Sequence, residues 1–397
     1  MNTKLLSSVE SCFSWLEKQM FTFNRASWGI YERIRINENE RVCLSRPDTA
    51  SEALKAIYYY KQVTKKDYYD DVYENLVKWL EFVIHKDCEI AGSFSFAFVD
   101  GNKRYKCDHS LYQNDNGKII INLLDLYEKT GDERLKDLAK RTAEFWLSIQ
   151  REDGTYHKDG IELLQIFPKA PCFVLWMMAA MYKSYQVFKD EKYLQSGRKA
   201  FSYIKSIVKG DRLLTAFETE GTENWRPVSS ENAIAIYCLA QAYQCDKNPE
   251  ILSVLKIICA FVDRLIDEKT GAVVNCTKDS ESASENSCED ICDLVYTESF
   301  ALNAFIKMYE TFGDTAYMQK AKKLSIWLCD IQCKKESPLW NGGWRGSYNI
   351  KNERWEGRCN QNNHIDEGGM YSVYTGWTAL PILFGMLKIL NCKKNIK

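Results

Sequence analysis

A repeated pair of helices is the feature of this chain that most restricts its fold. Six sites share one local pattern, in which an aromatic side chain is followed by apolar and charged residues and then by a loop. These sites are Trp15, Trp79, Trp146, Tyr203, Phe261 and Trp327. Internal periodicity on this scale is typical of architectures built from repeated supersecondary units. The pattern predicts six related helical hairpins joined by insertions of variable length.

The predicted helices fall into two classes. Those near residues 48, 115, 171, 230, 297 and 371 are rich in small and apolar residues, whereas those near 4, 67, 132, 191, 249 and 315 carry charges along one face. A helix that is apolar all round is buried, and an amphipathic helix keeps one face in water. We therefore expect six inner and six outer helices. The first helix (4–22) should pack on the last (370–391) and close a ring, as one domain over 1–397.

This arrangement resembles the six-hairpin (α/α)6 toroid of glycoside hydrolases, whose relatives include polysaccharide lyases and sugar epimerases. The hairpins YEKTGDERLKDLAKRTAEFWLSIQREDGTY and YETFGDTAYMQKAKKLSIWLCDIQ carry the resemblance. It implies an all-α (α/α)6 barrel, or toroid, with short β-hairpins in the long loops at one end. It also implies a carbohydrate-active enzyme. Because one fold serves several chemistries, the reaction has to be argued from the site residues.

Loop lengths indicate which end of the toroid carries the site. Connections from inner to outer helices are short, whereas those from outer to inner helices are long, about 23–47, 86–110, 151–169, 209–228, 267–296 and 333–369. Long loops on one end of a domain usually line a binding surface. Alternating residues at 93–100 and 212–220 predict short strands there, and the polar run 277–290 predicts a mobile tip. The inner helices start at this end, so their N-termini should favour anionic groups.

Acidic residues recur at the predicted starts of the inner helices, and glycoside hydrolysis generally needs two carboxyl groups. Acids in first turns also serve capping and dipole roles, which is the alternative for each of them. We expect Asp115 to be the general acid, with Asp366 or Glu231 as its partner and Glu298 as a further candidate. Two adjacent side chains diverge, so only one of Asp366 and Glu367 should face the cavity.

The NDNG sequence around Asp115 resembles unsaturated glucuronyl hydrolases and rhamnogalacturonyl hydrolases, which have a catalytic Asp at the start of an inner helix. Those enzymes use a second Asp near the next inner helix. This chain reads IFPKAPCF there and has no acid. The resemblance therefore supports a role for Asp115 without extending to the second catalytic position.

The stretch 340–377 combines tryptophans, tyrosines, arginines and glycines, a composition that suits a polar ring-shaped ligand such as a sugar. Together with residues at the helix starts, it supplies our predicted substrate contacts, with core packing or structural pairing as the alternative for the aromatic and charged members. These predicted contacts are Arg46, Asp48, Asn116, Trp344, Arg345, Trp355, His364, Glu367, Tyr371, Tyr374 and Trp377. Arginines in or beside the long loops are compatible with an acidic oligosaccharide.

Other functions find less support in the sequence. The net charge of −1 disfavours general binding to nucleic acid or membrane surfaces, and no nucleotide-binding glycine motif or zinc-ligand spacing occurs. We expect no cofactor or metal. The absence of an apolar leader and the cysteines within helical patterns predict a cytoplasmic protein. Two alternatives stay open: a lyase or epimerase that uses His109, His157 or His364 with a tyrosine, and a non-catalytic glycan-binding protein.

Overall fold

Helices make up most of the chain in the computed structural model, which describes residues 1–22, 28–99, 106–108, 110–157, 168–220, 227–276, 290–357 and 369–392. The α-helices are α1 Asn2–Trp15, α2 Pro47–Thr64, α3 Asp70–Val83, α4 Gln113–Thr130, α5 Glu133–Ser148, α6 Pro171–Phe188, α7 Glu191–Ser206, α8 Ala216–Glu220, α9 Val228–Cys245, α10 Pro249–Asp263, α11 Ser299–Phe312, α12 Thr315–Ile331 and α13 Leu380–Cys392. The strands are β1 Tyr31–Arg35, β2 Glu40–Ser45, β3 Ala97–Val99, β4 Lys106–Asp108, β5 Val208–Lys209, β6 Arg212–Leu213, β7 Ile291–Asp293, β8 Ser347–Asn349, β9 Arg354–Trp355 and β10 Ser372–Tyr374.

Six helices form a closed inner ring. They follow the order α2, α4, α6, α9, α11 and α13, and α13 packs back against α2. Each inner helix carries one outer helix: α3 packs on α2, α5 on α4, α7 on α6, α10 on α9, α12 on α11 and α1 on α13. The predicted (α/α)6 toroid is therefore confirmed, and the first helix of the chain packs on the last inner helix.

The aromatic residues that revealed the repeat lie on the outer helices and pack inward. Trp15, Trp79 and Trp146 are each at most 2% exposed. Their contacts are with the long loops: Trp15 donates its indole N–H to the carbonyl of Leu339 at 2.9 Å, and Trp79 lies 6.0 Å from Phe98. Burying a large aromatic ring removes a large apolar area from water, so the repeat in the sequence records the packing of outer helices on these loops.

The two ends of the chain depart from the predicted helix boundaries. The helix predicted at 4–22 is α1 followed by a π-helix at Leu16–Met20. The helix predicted at 370–391 was wrong over its first part, where β10 and a π-helix at Thr375–Ala379 precede α13. Strand β10 pairs antiparallel with β1, so its backbone groups bond across the sheet and cannot form helical hydrogen bonds.

The long loops form small sheets at one end of the toroid, as predicted. The largest sheet has the order β10-β1-β2-β3-β4 and joins the first long loop of the chain to the last one. The alternation at 212–220 continues only as far as β6 and then gives way to α8. Thr215 and Glu218 form a capping box there, because each side chain accepts the backbone N–H of the other, at 2.7 and 3.4 Å. The predicted mobile tip at 277–290 lies almost entirely outside the described residues.

A close approach of two inner helices depends on Gly117 of α4. A Cβ atom at this position would lie 2.8 Å from the backbone carbon and oxygen of Trp176 in α6. We therefore expect Gly117→Ala to destabilise the protein by about 1–3 kcal/mol, because the backbone of α6 cannot move aside easily. The loss should appear in chemical denaturation even though alanine has a higher helix propensity than glycine.

Gly197 in α7 provides the control for this prediction. A Cβ there would meet the ring of Tyr182 at 3.0 Å, a side chain that can shift. Gly197→Ala should therefore cost less than Gly117→Ala. An equal or larger loss at Gly197 would contradict the proposed backbone contact.

None of the described helices combines the length and apolarity that crossing a bilayer requires.

Candidate active site

The starts of α2 and α4 bring two predicted acids together at the long-loop end. Asp48 and Asp115 both lie in first turns, and Arg46 immediately precedes α2 in an extended conformation. Pro47 occupies the first turn of α2, where its missing N–H costs no helical hydrogen bond. This local geometry directs the Arg46 side chain toward both acids.

Arg46 holds a cluster of three carboxylates. Its Nε donates to Asp48 at 3.0 Å, and its Nη2 donates to Asp115 at 2.7 Å and to Asp48 at 3.2 Å. The Nη1 group donates to Glu32 of β1 at 3.1 Å, and the guanidinium lies 4.3 Å from the centroid of Phe96. Each guanidinium nitrogen therefore already has a protein acceptor, so Arg46 acts as an internal clamp rather than as the substrate contact that we predicted.

The environment separates the protonation states of the two acids. Burial raises the pKa of Asp115 to about 7, with the Asp48 charge adding to the rise and Arg46 opposing it. Burial also acts to raise the pKa of Asp48, but Arg46 and Lys118 outweigh it and hold that pKa below its ordinary value. Near neutral pH, Asp48 is thus ionised and Asp115 holds its proton in part. A pair of carboxyl groups whose pKa values are pushed apart is a common arrangement for acid catalysis.

Lys118, one turn after Asp115, supplies a second buried cation. Its Nζ lies 3.5 Å from Asp48 and 3.9 Å from the ring centroid of Trp377, and it donates to the carbonyl of Gly376 at 3.4 Å. The side chain is fully buried. Lys118 therefore stabilises the Asp48 carboxylate and orients Trp377 beside the acid pair.

Trp377 belongs to an aromatic cluster across the ring. Its indole lies 5.4 Å from Phe300, and Phe300 lies 5.5 Å from Trp176. The indole N–H groups of Trp377 and Trp176 have no acceptor among the described residues, although both side chains are at most 4% exposed. Unpaired buried donors of this kind are costly and provide groups for a polar ligand such as a sugar.

The other predicted acids lie on different parts of the ring. Glu231 is fully buried in the first turn of α9. Glu298 is fully buried just before α11, where it accepts the backbone N–H of Val273 at 2.7 Å, and burial raises its pKa well above the ordinary value. Glu298 therefore holds the loop of its own repeat. The carboxylates that share Arg46 with Asp115 are Glu32 and Asp48, and the catalytic roles of Glu231 and Glu298 remain predictions.

Several predicted substrate contacts instead have structural roles. Asn116 bonds the backbone N–H and carbonyl of Phe94 at 2.9 and 3.1 Å, and so holds the preceding loop. Trp344 has 0% exposure and donates its indole N–H to the carbonyl of Leu328 at 2.7 Å, so the expected stacking role was wrong. Asp48 also has no exposed side-chain area and forms ion pairs with Arg46 and Lys118.

Arg345 and Trp355 share one carboxylate. Both donate to Glu336, Arg345 through Nε at 3.0 Å and Trp355 through its indole N–H at 3.1 Å. Trp340 donates to the same carboxylate at 2.9 Å. These three hydrogen bonds to Glu336 hold together distant parts of the last long loop. Trp355 stays partly exposed at its edge, so it keeps a ring face that a sugar can contact.

Tyr374 and Tyr371 take up separate positions beside the sheet. Tyr374 accepts a hydrogen bond from Arg33, and Arg33 lies 3.3 Å from Glu32, which extends the Arg46 network to β10. Tyr371 is partly exposed. The predicted residues His364, Asp366 and Glu367 lie outside the described residues, so their roles stay predictions.

Two members of the site were not predicted from the sequence. Glu32 lies in a strand, and nothing in the sequence around it distinguishes it from a charged surface residue. Lys118 has the sequence context of an ordinary lysine in a helix. A signal existed for Lys118, because it immediately precedes three isoleucines in a helix that was predicted to be an inner one. Among the residues that the structure describes, no group of three His, Cys, Asp or Glu side chains is arranged to hold a metal ion.

Comparisons with known proteins agree with this fold. The family model described as Glycosyl Hydrolase Family 88 matches residues 52–212, a segment that contains Asp115 and Lys118. No curated protein sequence matches the chain. The family match indicates a carbohydrate-processing enzyme.

Solved structures cover the whole chain at low identity. A sugar epimerase from a ruminal bacterium has a TM-score of 0.71 at 14% identity, with 99% of each chain covered. A GH76 α-mannanase from Bacteroides thetaiotaomicron has a TM-score of 0.68 at 14% identity, covering 99% of this chain and 97% of its own. An unsaturated glucuronyl hydrolase specific for heparin has a TM-score of 0.68 at 11% identity, covering 100% of this chain and 99% of its own. These similarities show the (α/α)6 toroid fold.

Proposed function

We propose that this chain is a glycoside hydrolase acting on an oligosaccharide, with Asp115 as its general acid. The observation that carries the proposal is the Asp115 carboxyl, which is buried at the long-loop end and has its pKa raised to about 7 beside an ionised Asp48. A protonated carboxyl group at this position can deliver a proton to the oxygen of the leaving group. The family match over residues 52–212 supports this assignment because it includes Asp115.

The second carboxyl group is proposed to come from another part of the ring. Asp48 is fully buried, so its role is to hold Arg46 and the charge balance around Asp115. Asp366 and Glu231 remain the candidates for the nucleophile or for the base that activates water. The first turn of α6 begins with Pro171 and Cys172 and contains no acidic residue, so we propose no candidate from it.

The described arginines give little support to an acidic substrate. Arg46 and Arg345 are both paired with carboxylates, at 2.7 and 3.0 Å. The expected preference for an acidic oligosaccharide also included three further cations of the long loops. These are Lys169, which is exposed, and Arg226 and Arg358, which lie outside the described residues. We propose an oligosaccharide substrate and let the test below decide its charge.

Product analysis tests the proposed reaction. The purified protein should be incubated with neutral oligosaccharides and with uronic-acid oligosaccharides, both saturated and unsaturated at the non-reducing end. A hydrolase gives two shorter saccharides with the mass of one added water. A lyase gives an ultraviolet-absorbing unsaturated product, and an epimerase gives an isomer of unchanged mass. Either of the last two results would overturn the proposal.

The pH dependence should report the Asp115 proton. Since the acid form is required, kcat/KM should fall as pH rises through about 7, the pKa to which burial raises Asp115. A histidine base would give the opposite slope, with activity rising through its ordinary pKa of about 6.5. The profile is measured by initial rates in buffers of constant ionic strength. The second carboxylate accounts for a rising limb at lower pH, whereas activity that still rose through about pH 7 would contradict the assignment.

The same proton should affect folding. An unfolded Asp titrates near about 3.9, whereas folded Asp115 titrates near about 7. Between these values the folded chain holds a proton that the unfolded chain has released. The Asp115 contribution to the free energy of unfolding therefore decreases as pH rises across this window.

A further inference from the structure

A polar cavity lies at the short-loop end of the toroid, opposite the candidate active site. It has a volume of about 220 Å³, and every inner helix contributes to its lining. The charged and amide side chains that line it are Lys55, Asp125, Glu128, Lys129, Lys183, Gln186, Gln241, Gln244, Lys307, Glu310 and Lys388. The cavity is therefore a feature of the ring as a whole rather than a surface groove of one hairpin.

A packed layer separates this cavity from the candidate active site. Trp176, Tyr237, Phe300 and Phe384 line the axis between them and leave a space of about 10 Å³. This is about the room of one water molecule. A ligand in the lower cavity would therefore bind independently of the acid pair at the other end.

The buried lysines of the cavity differ in their partners. Lys183 contacts Asp125 and Glu128, each at 2.7 Å, and Lys388 contacts Glu310. These two ammonium groups have carboxylate partners, as buried charges usually do. They account for all three carboxylates that line the cavity.

Among the described residues, Lys55 and Lys307 have amide hydrogen-bond partners and aromatic neighbours, but neither forms an ion pair with a carboxylate. Lys55 donates to Asn122 at 2.8 Å, and Lys307 donates to Gln241 at 2.6 Å and to Gln244 at 3.3 Å. The two lysines are 4% and 8% exposed. Each ammonium group has three donors, so both keep at least one beyond these bonds.

Burial lowers the pKa of both Lys55 and Lys307. The charges of Glu52 and Asp125 oppose this effect at Lys55, those of Asp125 and Glu310 oppose it at Lys307, and the charge of Lys388 adds to it at both. Among the described residues no carboxylate forms an ion pair with either ammonium group, so the cost of burying the two charges is only partly offset. The C-termini of the inner helices supply partial negative charge at this end, but that effect falls off within the last turn. Lys55 lies more than two turns before the end of α2 at Thr64, so the helix dipole does not compensate it.

We propose that this cavity binds a small oxyanion of the phosphate type between Lys55 and Lys307. The lining lysines exceed the lining carboxylates by two charges, which a phosphate would balance. Ammonium groups bind phosphate oxygens through charge-assisted hydrogen bonds. Binding would remove the repulsion between Lys388 and its two neighbours.

Calorimetric titration of the full-length protein with sodium phosphate tests this proposal, in a buffer without other oxyanions and at constant ionic strength. We expect one phosphate per chain. Lys55→Met and Lys307→Met should each weaken binding by at least about tenfold, because each removes a buried charge that contacts the anion. Lys351→Met is the matched control, since this lysine is 73% exposed and removes the same charge from the surface. Equal weakening in the control, or no phosphate binding to the wild type, would overturn the proposal.

Gln244→Glu keeps the test decisive if the lysine variants fold poorly. Gln244 is partly exposed and lies 3.3 Å from Lys307 Nζ, so a carboxylate there would become the missing partner. We expect this variant to melt at a higher temperature than the wild type without phosphate and to lose phosphate binding. Phosphate stabilisation equal to that of the wild type would show that the anion binds elsewhere, and would overturn the proposal.

Discussion

Replacement of Asp115 by asparagine is expected to lower kcat/KM by about 100- to 10,000-fold, the usual contribution of a general acid. Asparagine has nearly the same shape and can still accept the Arg46 hydrogen bond, which measures 2.7 Å in the native site. It cannot release a proton to the leaving group. The measurement is the initial rate of hydrolysis of the oligosaccharide that the product analysis identifies.

Asp70→Asn is the matched control for this variant. Asp70 also lies in the first turn of a helix, but on the outer helix α3 and with its side chain 48% exposed. Its replacement should leave kcat/KM unchanged within about twofold, because surface substitutions have small effects. If both Asp115→Asn and Asp70→Asn kept full activity, Asp115 would not be the general acid.

The largest effect on stability is expected from Arg46→Met. This change leaves Glu32, Asp48 and Asp115 without the guanidinium that contacts all three. Removing one partner of a buried ion pair typically costs about 3–5 kcal/mol, because the remaining charge stays buried and uncompensated. The free energy of unfolding, from urea denaturation monitored by circular dichroism, gives the measurement.

Two further variants separate this effect from a general loss of charge. Arg354→Met removes an arginine that is 67% exposed and paired with Glu356, and should cost less than about 1 kcal/mol. Combining Arg46→Met with Asp48→Asn removes one stranded carboxylate. The double variant should recover roughly 0.5–3 kcal/mol, the usual coupling between residues in contact. If the losses in unfolding free energy of the two single variants simply added in the double variant, the proposed role of Arg46 as a clamp would be contradicted.

The repeated hairpins allowed most of the fold to be predicted. Trp79 and Trp146 mark outer helices because a buried aromatic ring recurs at the same place in each hairpin, so the signal is local in sequence. The start of the last inner helix could not be predicted in this way. Ser372–Tyr374 forms a strand because it pairs with Tyr31–Arg35, which lies at the other end of the chain.

The candidate site shows the same division. The position of Asp115 at a helix start follows from the periodicity around it, and the structure places it there. Arg46 and Asp115 are 69 positions apart in the sequence. They bind each other because two inner helices lie side by side. Trp344 was predicted to contact the ligand from the composition of its segment, but its side chain is fully buried.

The sequence by itself determined the six hairpins, the ring of inner and outer helices and the end that carries the long loops. These depend on periodicity and loop length, which are properties of neighbouring residues. Only the tertiary structure decided that Arg46 is an internal clamp, that Lys118 supports Asp48, and that Lys55 and Lys307 donate to amide oxygens. Charge pairing and pKa depend on distances across the ring and on burial, and the linear order of residues contains neither.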